Sequence, residues 1–369
     1  RGERAWQHVT LGERPGGQTL PDVQVVDMAA EFRGGSRSMF SKALVEALHG
    51  VYERGEKAVL LLNRRGFASF VLCRECGFVP ECPHCSTSLT FHESAGTLVC
   101  HHCDHSEPLP AVCPQCGSPY LRKFGAGTER VEAELRQVVP VDMPVIRMDA
   151  DTTRGKGAHE RLLDEFSSAH GGILLGTQMI AKGLDFPDVT LVGVINADTT
   201  LKLPDFRASE RTFQLLEQVS GRAGRADKPG HVIVQTYWPE HPAICAAAAH
   251  DRERFLESEL PLREELGYPP FTRLANILVW GRDERLVRQV ITEVTLAVNS
   301  SMVSAGCEWD VLGPAPCLLA RLRGLYRWHT LVKAPVDADI SAIIDPVLKA
   351  RKANADVRVA VDVDPDNLF

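Results

Sequence analysis

The chain has 369 residues, 44% hydrophobic and 24% charged. That usage is ordinary for globular proteins and excludes a disordered or fibrous chain, and the length predicts two or three domains of roughly 100–200 residues. With 41 Lys and Arg against 48 Asp and Glu, the net charge of −7 excludes a polybasic binder. Contact with nucleic acid would need local basic patches. No apolar run reaches the roughly 18 residues of a spanning helix, and no secretory signal is visible, so no membrane partner is expected. Arg1 in place of an initiator Met points to a chain that begins within a longer protein.

Residues 1–26 read as a lead-in, with a short strand at 23–26. Phe40, Leu44, Leu48 and Val51 recur at helical spacing and predict a helix over 39–52. The run 57–63 is apolar throughout, as in a strand buried on both faces. After the cysteine-rich block come a helix at 128–139 with Thr128 as N-cap, a strand at 145–148 and a helix at 158–168. Strands at 173–176 and 189–196, a helix at 208–219 and a strand at 231–236 follow. This alternation predicts an α/β domain with a parallel sheet.

Residues 243–266 read as one connecting helix. Beyond Gly267-Tyr-Pro-Pro270 the pattern is strand 271–280, helix 284–301, strands 309–312 and 325–333, helix 340–350 and strand 357–363. That order, β-α-β-β-α-β, is the ferredoxin-like arrangement, an α+β domain. The division is 27–71 and 120–240 for the lobe, 72–119 for an insertion and 241–369 for the connecting helix and C-terminal domain.

Eight of the eleven cysteines form four Cys-x-x-Cys pairs: Cys73/Cys76, Cys82/Cys85, Cys100/Cys103 and Cys113/Cys116. Such pairs supply two sulfurs at one corner of a tetrahedral zinc site, and two facing pairs complete it. Pairing can be sequential or nested. The fourteen residues between Cys85 and Cys100 are close to the usual ribbon gap, which favours nesting. The inner site is then Cys82, Cys85, Cys100 and Cys103, and the outer Cys73, Cys76, Cys113 and Cys116. Gly77 and Gly117 suit the tight turns. His84, His101 and His102 read as bystanders, because eight thiolates already close two structural sites. Whether the block also touches DNA or protein stays open.

Two further segments carry chemistry. Gly176–Pro187 leaves the C-terminal end of a buried strand, where open α/β sheets place ligands. Thr177 and Gln178 can donate to a nucleic-acid phosphate, and Lys182 adds charge. Gly183 permits close backbone approach, and Asp185 can orient a ribose or a water. In Gln218–Arg225, a persisting helix would put Gln218, Arg222 and Arg225 on one face. Paired guanidiniums suit a triphosphate; the plain alternative is that they complement the helix dipole. A basic patch, Arg321, Arg323, Arg327 and Lys333 interleaved with Tyr326 and Trp328, can hold single-stranded DNA, its rings stacking bases. The alternative is a hairpin with its aromatics in the core.

Gln218–Arg225 resembles the last motif of superfamily 2 helicases, and Gly176–Pro187 the one before it. Together with Asn63-Arg-Arg-Gly-Phe67, the eight-cysteine insertion, Phe124-Gly-x-Gly-Thr128-Glu, Val311-Leu-Gly-Pro-x-Pro316 and Asp362-Val-Asp-Pro365, they resemble the PriA-type replication-restart helicases from end to end. The resemblance implies a RecA-like second motor lobe with a binuclear zinc insertion. The implied activity is 3′-to-5′ DNA unwinding, with recognition of abandoned forks and reloading of the replicative helicase in the bacterial cytoplasm. It implies ATP with Mg²⁺, held in part by Gly183 and Asp185. Arg222 and Arg225 would be arginine fingers, with Gln218 beside them. Two zinc ions in nested pairing are implied as well.

Implied partners are forked and single-stranded DNA, other primosome proteins, the helicase loader and single-strand binding protein. For the last, Leu325 stands where an arginine is common. The chain departs from the complete motor in lacking Gly-x-x-x-x-Gly-Lys-[Ser/Thr] and Asp-Glu-x-His. Alone, it is expected not to hydrolyse ATP. The rival reading is a non-catalytic zinc scaffold for DNA or primosome proteins.

Overall fold

The computed structural model describes residues 20–63, 70–85, 87–92, 95–125, 127–177, 180, 188–223, 230–351 and 354–368. Its main sheet holds β1 (Asp22–Asp27), β2 (Lys57–Leu61), β8 (Val145–Met148), β9 (Gly172–Gly176), β10 (Val189–Val194) and β11 (His231–Thr236). The order is β1-β11-β10-β2-β9-β8, with every pairing parallel. β2 shows why its sequence lacks polar alternation. Val59 and Leu61 enter the core under helices Ala158–Ser168 and Ala208–Ser220, while Ala58 and Leu60 enter the core under Lys42–Glu53 and Thr128–Val138. Both faces are covered, so both sets must be apolar. The strand expected at 23–26 is the sheet's edge.

Two helix starts differ from the sequence reading. The first long helix begins at Lys42, because Ser41 caps it by accepting from the Leu44 amide at 3.2 Å. Thr128 is no cap: Gly127 holds that position, and the Thr128 hydroxyl donates to Asp149 Oδ2 at 2.6 Å, tying the helix to the end of β8. The connecting helix is two helices, Pro242–Ala248 and Arg252–Glu265. His250 between them is left-handed (φ 54°), and Asp251 caps the second by accepting from the Arg254 amide at 3.0 Å. Apolar periodicity does not register such a break.

The cysteine block leaves the sheet after β2 on a two-stranded stem, β3 (Val71–Cys73) with β7 (Leu121–Lys123), and carries a small sheet of β4 (Thr90–His92), β5 (Thr97–Val99) and β6 (Ser106–Pro108).

The C-terminal sheet has β12 (Thr272–Gly281), β13 (Asp310–Leu322), β14 (Leu325–Pro335) and β15 (Val357–Val363). Its order is β13-β14-β12-β15, all antiparallel, with helices Glu284–Ser304 and Ile340–Ala350 on one face. This is the ferredoxin-like topology. β13 is far longer than 309–312, because Pro314 and Pro316 lie on an edge strand, where a missing N–H costs no ladder bond. Among the described residues, no helix is long and apolar enough to cross a membrane.

Candidate functional site

The four thiol pairs share one local geometry. The Cys73, Cys82, Cys100 and Cys113 amides each donate to the carbonyl five residues on, at 2.8–2.9 Å. Three of those cysteines accept at their carbonyls from the amide four residues on: Gly77, Asp104 and Gly117. All three donors have positive φ, which favours glycine at two of them. These turns aim the sulfurs inward in two sets, Cys73/Cys76/Cys113/Cys116 and Cys82/Cys85/Cys100/Cys103, each with all its Sγ atoms within 4.8 Å. The pairing is nested.

The sets fit zinc. A Zn–S bond of about 2.3 Å gives a tetrahedron edge of about 3.8 Å. Cys73–Cys116 lie 3.6 Å apart, Cys76–Cys113 3.7 Å and Cys82–Cys103 3.6 Å. Left as thiols, the inner four frustrate one another. The Cys85 hydrogen bond holds the Cys100 thiol well below its ordinary value, while burial, aided by Cys100, pushes Cys82 up. A central dication relieves that repulsion. Four thiolates on one ion would leave no open coordination position, the arrangement of a structural rather than a catalytic site.

The histidines are a correction. They are not ligands, but His101 and His102 are buried joints rather than bystanders. His101 Nδ1 donates to the Pro316 carbonyl at 2.7 Å, and His102 Nε2 to the Pro204 carbonyl at 3.1 Å. His329 Nε2 donates back to the His101 carbonyl at 2.8 Å. Burial holds His101 and His329 down to about 4, so both rings are neutral at pH 7. Each accepting carbonyl stranded by loss of its ring would cost about 1–3 kcal/mol.

Beyond the C-terminal ends of the strands, where an open sheet binds its ligands, lies a cleft lined by Arg37, Arg74, Lys123 and Arg130. Buried Gln235 organises it. Its Oε1 accepts from the Ser41 amide at 2.7 Å, and its Nε2 donates to the Met39 and Ile195 carbonyls, both at 2.9 Å. Asp198, also buried, accepts from the Thr236 hydroxyl and, at 2.9 Å, from the Tyr237 amide. Sequence reasoning missed both residues; a glutamine inside the apolar run 231–236 was the available signal.

Burial raises the Asp198 carboxyl to about 7, against about 3.9 when unfolded. Between those values the unfolded chain has released the proton and the folded chain keeps it, so the contribution of Asp198 to stability falls as pH rises. Asp198→Asn is therefore expected to improve relative to the parent between about pH 4 and 7, by about 3 kcal/mol. Denaturant titrations across that range check this; a difference independent of pH would reject it.

Of the motor residues, Thr177 is half-buried just beyond β9, and its carbonyl accepts from the Ile180 amide at 3.0 Å. Gln178, Lys182, Gly183, Asp185 and Arg225 lie outside the described residues. The α-helix carrying Gln218 ends at Ser220 and does not run on to Arg222. Arg222 and Ala223 instead donate to Val219 and Ser220 at 2.9 and 3.2 Å, a tighter turn that prolongs the helix end. Arg222 is half-buried there.

In the C-terminal patch Arg323 and Gly324, both at positive φ, form the hairpin tip, and the Arg321 guanidinium lies 5.1 Å from the Tyr326 ring centre. Trp328 is a correction: only 6% exposed, it packs into the helix-side core and is unavailable to a base. The tryptophan on the opposite face is Trp280, which sequence reading missed. It lies between Arg327 and Arg358 across three strands.

Comparison with known proteins agrees with this layout. Residues 124–227 match the family described as "Helicase conserved C-terminal domain", 82–108 the "PriA DNA helicase Cys-rich region (CRR) domain" and 264–366 the "Primosomal protein N C-terminal domain". "Replication restart protein PriA" of Bacillus subtilis is 47% identical over 98% of this chain and 45% of its own length. The proteins of that name from Synechocystis and Haemophilus influenzae are 44% and 38% identical, over 97% and 98% of this chain and 43% and 49% of their own lengths.

The chain belongs to the PriA family. It spans somewhat less than half the length of these relatives. Within the PriA layout, the inner metal set falls in the Cys-rich region with the outer set flanking it on both sides, Arg222 falls in the helicase part and the ferredoxin-like sheet in the C-terminal part.

Proposed function

We propose that this chain is the second motor lobe, zinc module and C-terminal domain of an ATP-dependent 3′-to-5′ DNA helicase that acts at stalled forks and starts primosome assembly. One observation carries the reading: a parallel lobe whose motor helix carries Gln218 and passes directly into the turn holding Arg222 also has two four-thiolate sets after its first central strand. Arg222 and Arg225, with Gln218 beside them, reach ATP and Mg²⁺ held mainly by another lobe, while Gly183 and Asp185 touch the nucleotide. Thr177, Gln178 and Lys182 follow the DNA backbone.

In the C-terminal domain Arg321, Arg323, Tyr326 and Arg327 meet single-stranded DNA, with Trp280 replacing Trp328 as the ring that stacks. Fork DNA, primosome proteins, the helicase loader and single-strand binding protein are the partners on this reading. Its setting is the bacterial cytoplasm, at forks.

The test uses the complete protein, phosphate loop included, on forked duplexes with either a 3′ or a 5′ single-stranded tail. ATP-dependent unwinding from the 3′ tail is expected, with no ATP turnover by the present chain alone. Unwinding from the 5′ tail only, or DNA-stimulated turnover by this chain alone, would reject the reading.

A further inference from the structure

The inner metal set does more than hold its own module together. Between its ligands Cys100 and Cys103, the turn carries His101 and His102, each only 2% exposed. His101 engages the C-terminal domain twice, through its ring to Pro316 and through its backbone carbonyl to His329. His102 engages the motor lobe through Pro204. One metal-binding turn thus touches both neighbouring domains within two consecutive residues.

We propose that this turn is the latch docking the C-terminal domain onto the motor lobe, and that the inner zinc, not the outer one, sets it. The contacts with the C-terminal domain need a ring and a backbone carbonyl held together in fixed directions. Those directions belong to the Cys100–Cys103 turn, whose ends are fixed when both sulfurs bind one ion. The outer set serves a different surface. Next to its ligand Cys76, Glu75 accepts at its carbonyl from Arg33 at 2.6 Å. A Cβ on Gly77 would lie 2.9 Å from the Tyr237 carbonyl oxygen. The Arg33 bond and this close backbone approach both lie against the motor lobe, and neither involves the C-terminal domain.

The domains also meet without the turn. Arg207 and Arg211 both reach Asp366, and Leu318 packs on Leu203 and Ala208. The Asp366 side chain is 93% exposed, so its ion pair is weak and screened by salt. The histidine bonds are shielded from water and directional, which makes them the contacts on which docking depends.

The experiment compares the full chain with His101→Gln, His329→Gln, Cys103→Ser and Cys116→Ser. Zinc is counted by elemental analysis, docking by hydrogen exchange at residues 203–209 and 313–320, and overall size by small-angle scattering. His101→Gln and His329→Gln should keep both zinc ions, yet exchange at least tenfold faster in those segments and scatter as a more extended particle. Cys103→Ser should lose one ion and behave alike. Cys116→Ser should lose one ion and leave both segments protected. Protection kept in His101→Gln would overturn the latch, even if Cys103→Ser exposes the segments. Exposure by Cys116→Ser equal to that of Cys103→Ser would overturn the assignment to the inner zinc.

Discussion

Alanine at Arg222 in the complete two-lobed enzyme is expected to lower DNA-stimulated ATP turnover by about 10³–10⁵-fold, the usual worth of an arginine finger. Charge builds on the transferred phosphoryl group, and a guanidinium already in place stabilises it most in the transition state. Arg222 is half-buried, and the hydrogen bond from its amide to the Val219 carbonyl fixes the backbone from which the guanidinium would reach. Arg222→Lys should recover little, because an ammonium lacks the planar fork. Arg225→Ala should behave alike.

Fork affinity at fixed salt should change little in either mutant, since Thr177, where the proposed DNA track begins, lies at the C-terminal end of β9 while Arg222 lies in the segment leading into the N-terminal end of β11. The measurement pairs turnover with fork binding for both alanine variants. Surviving turnover with lost fork binding would make these arginines DNA contacts and end the finger assignment.

Stripping zinc from the intact chain is expected to unfold the inserted module while leaving the six-stranded sheet folded. Structural zinc in small sites contributes on the order of 10–16 kcal/mol, and this module has little else. Of the eight buried residues in its core, Cys73, Cys82, Cys100 and Cys113 are themselves metal ligands. Among the described residues of that core, the fully buried remainder is Val71, Leu89, Leu98 and Leu121, with Phe78, Phe91 and Leu109 partly buried against them.

Unstripped, reduced protein should carry two zinc ions, and Cys82→Ser one. Because zinc binds thiolates, lowering the pH should release the metal and unfold the module with it. Elemental analysis combined with hydrogen exchange across 72–119 checks both. Two ions lost with the module's amide protection unchanged, or fewer than two ions at the start, would refute the structural role.

Much of this protein was legible in its sequence, wherever the signal is local. A strand buried on both faces must be apolar throughout, so 57–63 announced a covered parallel sheet. Thiolates that share an ion must lie on tight turns, so four Cys-x-x-Cys pairs announced two sites, and their spacing favoured the pairing. The β-α-β-β-α-β order followed from periodicity alone.

What tertiary structure decided is where one chain segment meets another. Trp328 and Trp280 are alike as letters. The face each presents depends on strand register, and only the folded sheet put the first in the core and the second between two arginines. The long edge strand β13 was hidden by prolines that are disruptive only where a neighbour needs their N–H. His101 and His102 read as bystanders because their acceptors, Pro316 and Pro204, lie 215 and 102 residues away. Zinc-ligand spacing is a property of a few consecutive residues and survives in the sequence. A hydrogen bond between domains depends on the whole chain having folded, and no local pattern records it.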